Sequence, residues 1–142
     1  GLAERMAWAV RECAASGAPR VLLRGSDSPT LAVAAVATAL DELDAYDVVL
    51  RPDLDGGYNL VGLRCPCPEI FEHPMSTPRV LEDTAARARA LGLRVRIGEP
   101  GFDLDSVADF RWLARERDGA ASLCPRTLAF ADERRLWRHL EA

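Results

Sequence analysis

The stretch Val21-Leu22-Leu23-Arg24-Gly25-Ser26-Asp27-Ser28-Pro29-Thr30-Leu31 decides how this chain is read. An apolar run stops at a carboxylate, and a proline and a new apolar segment follow at once. That is the pattern of a buried strand that delivers an acid to a sheet edge and hands over to a helix. In open α/β sheets, ligands bind outside the carboxyl ends of the strands. Asp27, with Gly25 and Ser26 beside it, is therefore the first candidate for chemistry.

Upstream of this stretch, Leu2, Met6, Ala9, Val10 and Cys13 recur at helical spacing until Gly17 and Pro19 end the run, which predicts a helix over 2–16. Downstream, an Ala-rich helix over 31–43 leads into a strand at 47–50 that stops at Arg51-Pro52. A strand at 58–63 follows. A helix over 77–91 comes next, capped by Ser76, with Pro78 in its first turn and Gly92 as its stop. A fourth strand is expected at 93–97, and Ser106 is placed to cap a helix carrying Val107, Phe110, Trp112 and Leu113. Residues 118–142 read as a packing appendage in which Leu136, Trp137 and Leu140 share one side of a short Arg-rich helix. Trp8, Trp112 and Trp137 all fall in amphipathic helices and are assigned to core packing rather than to stacking on bases. Strands alternating with helices, without repeats or linkers, predict a single three-layer α/β domain over 1–142.

Composition narrows the function. With 142 residues the chain can build one real core. Its net charge of -4 argues against nonspecific binding to nucleic acid. All 18 bases are Arg, so the phosphate-gripping lysine of a P-loop and any Schiff-base lysine are excluded. Cys13, Cys65, Cys67 and Cys124 do not form the paired sets of a structural zinc site, and Cys65-Pro66-Cys67 is read as a loop. A reduced, cytoplasmic protein is expected. Glu4, Arg5, Arg11 and Glu12 stand where a signal peptide would be apolar, and no run approaches a membrane span, so a soluble protein with no membrane partner is expected.

Three acidic sites follow predicted strands: Asp27, the Asp53-Leu54-Asp55-Gly56-Gly57 loop, and Asp103 with Asp105. Carboxylates gathered at one sheet edge suit a hard divalent cation, which takes one or two of them and completes its shell with water and substrate phosphates. Asp is also a common turn and cap residue, and spacing alone leaves both readings open. The Asp53–Gly56 segment is not an EF-hand, because Arg64 stands where the bidentate Glu is required. Asp55-Gly56-Gly57 between two apolar runs fits a tight hairpin turn whose glycines would let a ligand approach the backbone. His73 and His139 are too isolated to build a triad with Ser26 or Ser28, and Gly25-Ser26-Asp27-Ser28 is not a nucleophile elbow. Hydrolase chemistry is not expected.

Gly25-Ser26-Asp27-Ser28-Pro29-Thr30-Leu31, Asp47-Val48-Val49-Leu50 and Asp55-Gly56-Gly57-Tyr58-Asn59-Leu60-Val61-Gly62-Leu63 resemble, in order and spacing, the DUF2064 family of GT-A-like glycosyltransferases. The resemblance continues through Ser76-Thr77-Pro78-Arg79-Val80-Leu81 and Leu91-Gly92-Leu93-Arg94-Val95. It ends with Asp103-Leu104-Asp105-Ser106-Val107-Ala108-Asp109-Phe110. It implies a Rossmann-like GT-A fold that binds a nucleotide-diphospho-sugar with Mg²⁺ or Mn²⁺ and passes the sugar to a small-molecule acceptor. It also implies roles for individual residues. Asp27 and Asp55 become the catalytic acids. Gly25, Ser26, Asp27, Gly56, Gly57 and Tyr58 line the nucleotide-sugar site, and Asp27, Asp103 and Asp105 hold the metal. Such proteins begin with a strand and a basic, glycine-containing loop, neither of which precedes Gly1, so the resemblance implies an N-terminally truncated domain. Two alternatives stay open: a nucleotidyltransferase of the same superfamily, and a noncatalytic domain whose unpaired sheet edge pairs with a second copy as a homodimer.

Overall fold

In the computed structural model, which describes residues 1–139, the chain opens with helix α1, Leu2–Ala15. Strand β1, Val21–Arg24, helix α2, Val33–Glu42, and strand β2, Val48–Pro52, follow. Strand β3, Tyr58–Leu63, leads through a 3₁₀ turn, Pro68–Phe71, to helix α3, Val80–Ala90, and strand β4, Val95–Ile97. Three further helices, α4 over Val107–Arg115, α5 over Arg117–Ala120 and α6 over Pro125–Glu133, precede a final 3₁₀ turn at Leu136–His139. Leu140, assigned above to the last helix, lies outside the described residues.

The strands form one open sheet in the order β1-β3-β2-β4. β3 is antiparallel to both β1 and β2, whereas β4 is parallel to β2. β2 and β3 are therefore a hairpin, and β3 is laid between β1 and β2 rather than beside them. This insertion is what the simple alternation of strands and helices did not foresee. Period-two alternation sends Val48, Leu50, Val61 and Leu63 to one face, where they pack with Val10 of α1, Ile70 and Phe71, and Ala85 and Ala88 of α3. Val49 and Leu60 point to the other face and meet Leu31, Ala39 and Leu43 around α2. Helices on both faces of the sheet make the three layers expected from sequence. Beyond the sheet, Phe102, Leu113, Ala120, Cys124 and Leu128 form a separate small core, with Trp137 packed against it.

Several local expectations are corrected. α3 starts at Val80 rather than at 77, because Thr77–Arg79 form a turn in which Val80 N–H donates to Thr77 O at 3.3 Å, and Ser76 caps nothing. α2 occupies 33–42, and its expected end residues, Leu31 and Leu43, are buried anchors outside the helix. β4 is shortened to Val95–Ile97. Trp8 is 62% exposed: it stands two residues from buried Val10, about 200° around α1, and so faces away from the core. Trp112 is 38% exposed and lays its ring against Phe102, centroids 4.1 Å apart. No helix among the described residues is long and apolar enough to cross a membrane.

Candidate functional site

Because β3 runs against its neighbours, its first residue lies at the same rim as the carboxyl ends of β1, β2 and β4. Backbone hydrogen bonds tie the rim loops together. Gly25 N–H donates to Asn59 O at 2.8 Å, Gly98 N–H to Leu50 O at 2.8 Å, and Gly101 N–H to Pro52 O at 2.7 Å. Leu104 N–H donates to Asp27 O at 2.9 Å, joining the loop after β1 to the loop after β4. All three acidic segments therefore converge.

Two glycines make this convergence sterically feasible. Gly56 adopts φ +92 and presses on the Pro78 carbonyl, where any Cβ would overlap it, while Leu81 N–H donates to Gly56 O at 3.0 Å. A Cβ at Gly101 would strike the Asn59 amide and the Arg51 guanidinium, so only glycine lets the segment after β4 lie on them. Asp55 closes the hairpin locally by accepting a 2.8 Å hydrogen bond from Gly57 N–H, an Asx turn.

Carboxylate oxygens of Asp55, Asp103 and Asp105 come within 4.8 Å of one another. Behind them, buried Asp53 accepts a 2.8 Å hydrogen bond from the Asn59 amide and shares a side-chain hydrogen bond with Asp103. Burial, followed by the charges of Asp53 and Asp105, pushes the Asp103 carboxyl up to about 7. Burial also raises Asp53, against the pull of the Asn59 hydrogen bond. Asp105 is raised by burial and by the charges of Asp27 and Asp55. None of the three clustered carboxylates is in a salt bridge among the described residues. The cluster thus gathers carboxylates whose mutual charge, added to burial, raises Asp103 and Asp105, while the Arg51 guanidinium acts on Asp53 from behind and donates to Asn59 Oδ1 at 3.4 Å.

This donor set fits a hard divalent cation: every ligand atom is a carboxylate oxygen, and the mutual repulsion that raises Asp103 is what a cation relieves. The cluster opens into a cleft of about 920 Å³. Leu2, Met6 and Ala9 of α1, residues of β1 and β3, and the Met75–Pro78 segment line it. The expected residues are distributed as follows. Gly25, Ser26, Asp27, Asp55, Gly57, Tyr58, Asp103 and Asp105 all line the cleft. Asp27 stands beside Asp105 but outside the group of three. Gly56 is turned against Pro78. Sequence reasoning named Asp53 only as part of its acidic loop and gave no role to Asn59 or to the Met75–Pro78 segment. Asn59 carried a usable signal: an amide inside an otherwise apolar strand has to find a buried partner.

A mixed α/β sheet with an acidic cleft at one rim places the molecule in a fold class also seen in a crystal structure from Desulfovibrio desulfuricans G20, provisionally named a nucleotide-diphospho-sugar transferase. The two superpose with a TM-score of 0.86 at 30% identity, over 99% of this chain and 62% of that one, so the chain spans about three fifths of its structural relative. Residues 1–77 match the family described as "Uncharacterized protein conserved in bacteria (DUF2064)", and the chain belongs to that family. No curated protein matches it.

Proposed function

We propose that this chain forms the cation-binding donor cleft of a transferase that moves a sugar from a nucleotide-diphospho-sugar to a small-molecule acceptor. The carrying observation is the meeting of Asp55, Asp103 and Asp105 within 4.8 Å at one end of a 920 Å³ cleft. The name given to the Desulfovibrio structure supports the substrate class. Mg²⁺ or Mn²⁺ held by these three carboxylates would supply positive charge opposite the leaving diphosphate.

The chain's own groups have separable tasks. Asp53, anchored by Asn59, holds Asp103 at the cleft and keeps its proton there until a cation displaces it. Asp27 lines the same cleft outside the group of three, so its carboxylate is left to accept a hydrogen bond from a hydroxyl of the sugar or the acceptor. Gly25 and Gly57 leave backbone uncovered along the route of the diphosphate.

The test is a thermal-shift panel with uridine, guanosine, cytidine and thymidine diphosphates and their sugars, with and without Mg²⁺ or Mn²⁺. Preferential binding to the folded state raises the melting temperature. A cation-dependent rise with one nucleotide, lost in Asp105→Asn, supports the reading. A cation-independent rise, or none with any nucleotide, contradicts it.

A further inference from the structure

The three clustered carboxylates come from two separate stretches of chain. Asp55 sits in the turn of the β2–β3 hairpin, whereas Asp103 and Asp105 lie on the segment after β4. One stretch has to be held against the other, because a gap opening between them would spread the carboxylates apart. Main-chain hydrogen bonds from Gly98 and Gly101 to β2 do part of this. A side chain outside the cluster, Arg51 near the end of β2, bridges the same two stretches.

Arg51 divides its guanidinium between them. Nη1 donates to Asn59 Oδ1 on β3 at 3.4 Å, and Nη2 donates to the Pro100 carbonyl, three residues ahead of Asp103, at 3.3 Å. The first arm fixes which way the Asn59 amide points. With Oδ1 facing the guanidinium, Nδ2 is turned to Asp53 and donates to its Oδ1 at 2.8 Å, and Asp53 is in turn hydrogen-bonded to Asp103. The second arm holds the Pro100 backbone directly. The next residue is Gly101, whose missing side chain leaves room for this pair: a Cβ there would overlap the Asn59 amide and the Arg51 guanidinium. The segment therefore lies on the Arg51–Asn59 pair on its way to Asp103.

We propose that Arg51 is a positioning residue for the acidic cluster: its forked guanidinium clamps the Asp103 segment to the β2–β3 hairpin and so sets the spacing of Asp55, Asp103 and Asp105. The fork is the working part. A planar guanidinium presents several donors in fixed geometry, and one compact ammonium cannot take both places. Clamp and charge act on cation binding in opposite directions. A positive charge behind the cluster repels an incoming cation, so removing that charge alone would tighten binding. Losing the clamp spreads the carboxylates and weakens binding, as the loss of outer-shell partners weakens metal sites by roughly tenfold to hundredfold.

As a metal-site role this rests on the proposed cleft function, while the clamp itself can be read without a cation. Titration calorimetry with Mn²⁺ compares the unaltered protein with Arg51→Met, which loses both fork and charge, and Arg51→Lys, which keeps the charge and loses the fork. About tenfold weaker binding is expected in both. In the metal-free protein, hydrogen exchange follows the Gly101 amide, which donates to Pro52 O at 2.7 Å, against the Asp47 amide, which donates to Arg94 O at 2.9 Å at the opposite end of β2. Both variants are expected to lose about fivefold in protection at Gly101, the size of one hydrogen bond, with Asp47 unchanged. Should Arg51→Met fail to fold, Arg51→Lys carries both measurements. Unchanged or tighter Mn²⁺ binding in either variant, or unchanged protection at Gly101, overturns the proposal. Equal losses at Gly101 and Asp47 overturn it as well, since they would make Arg51 a general stabiliser of the sheet. If the unaltered protein binds no Mn²⁺, the cleft function fails, and the comparison of Gly101 with Asp47 decides the clamp alone.

Discussion

The two ends of β2 treat their aspartates in opposite ways. Just before the strand, Asp47 accepts hydrogen bonds from Arg94 N–H at 2.9 Å, Nε at 3.0 Å and Nη2 at 3.2 Å, with Arg64 Nη1 3.9 Å away, and its carboxyl falls to about 2. Just after the strand, Asp53 meets Asn59 and Asp103, and Asp103 rises to about 7. At one end acids are matched with arginines and the charge is spent on holding β4 to β2. At the other, Arg51 acts only on Asp53 and its partner Asn59, and Asp55, Asp103 and Asp105 face one another with no salt bridge among the described residues. The same residue type over a span of seven positions serves structure at one end of the sheet and prepares a binding site at the other. Partner identity is what separates them.

The largest expected break in this contrast is at the acidic rim. Asp105→Asn removes a cluster carboxylate and is expected to weaken Mn²⁺ binding by at least the tenfold to hundredfold that outer-shell groups cost, with the melting temperature of the metal-free protein unchanged or raised. Calorimetric titration and a melting curve check both parts. Asn59→Leu is next. It leaves buried Asp53 without its amide and is expected to destabilise the fold by about 2 kcal/mol, read from urea unfolding. Gly56→Ala forces a side chain into a positive-φ turn against Pro78 and is expected to cost a similar ~2 kcal/mol, with the Met75–Pro78 segment displaced. Asp47→Asn is the mildest, at about 1 kcal/mol, since the Arg94 pair is partly open to solvent.

The pH dependence sharpens the comparison, because the two ends slope in opposite directions. Asp47 is depressed in the folded state, so its contribution is present above the ordinary carboxylate pKa and is lost as pH falls from about 4 toward 2. Asp103 is raised, so the stability associated with its retained proton is present at low pH and is lost as pH rises from about 4 through 7. Unfolding free energies measured in chelator are expected to lose the acid-side slope in Asp47→Asn and the near-neutral slope in Asp103→Asn. Loss of either slope in the wrong variant would dissolve the contrast.

Much of this was legible because it is local. The apolar run into Asp27, the Asp55-Gly56-Gly57 hairpin and the placing of acids after strands follow from periodicity and turn chemistry. The insertion of β3 between β1 and β2 was not legible, because pairing partners are a tertiary choice. With it were hidden the contact of Asp53 with Asp103, fifty positions apart in the chain, and the hydrogen bond between them. The start of α3 was misplaced for the same reason: Ser76 and Pro78 look like a helix opening, yet packing of Pro78 against Gly56 delays the helix to Val80. Trp8 was assigned to the core on helix membership alone, although its angle relative to Val10 already pointed it outward.

The central claim is that the acidic rim exchanges a held proton for a divalent cation. Mn²⁺ titration calorimetry near pH 6.5, in two buffers of different ionisation enthalpy, tests it most directly. The account predicts saturable binding with release of up to about one proton per cation, a release that disappears in Asp103→Asn. Binding without proton release, or no binding at all, would contradict it.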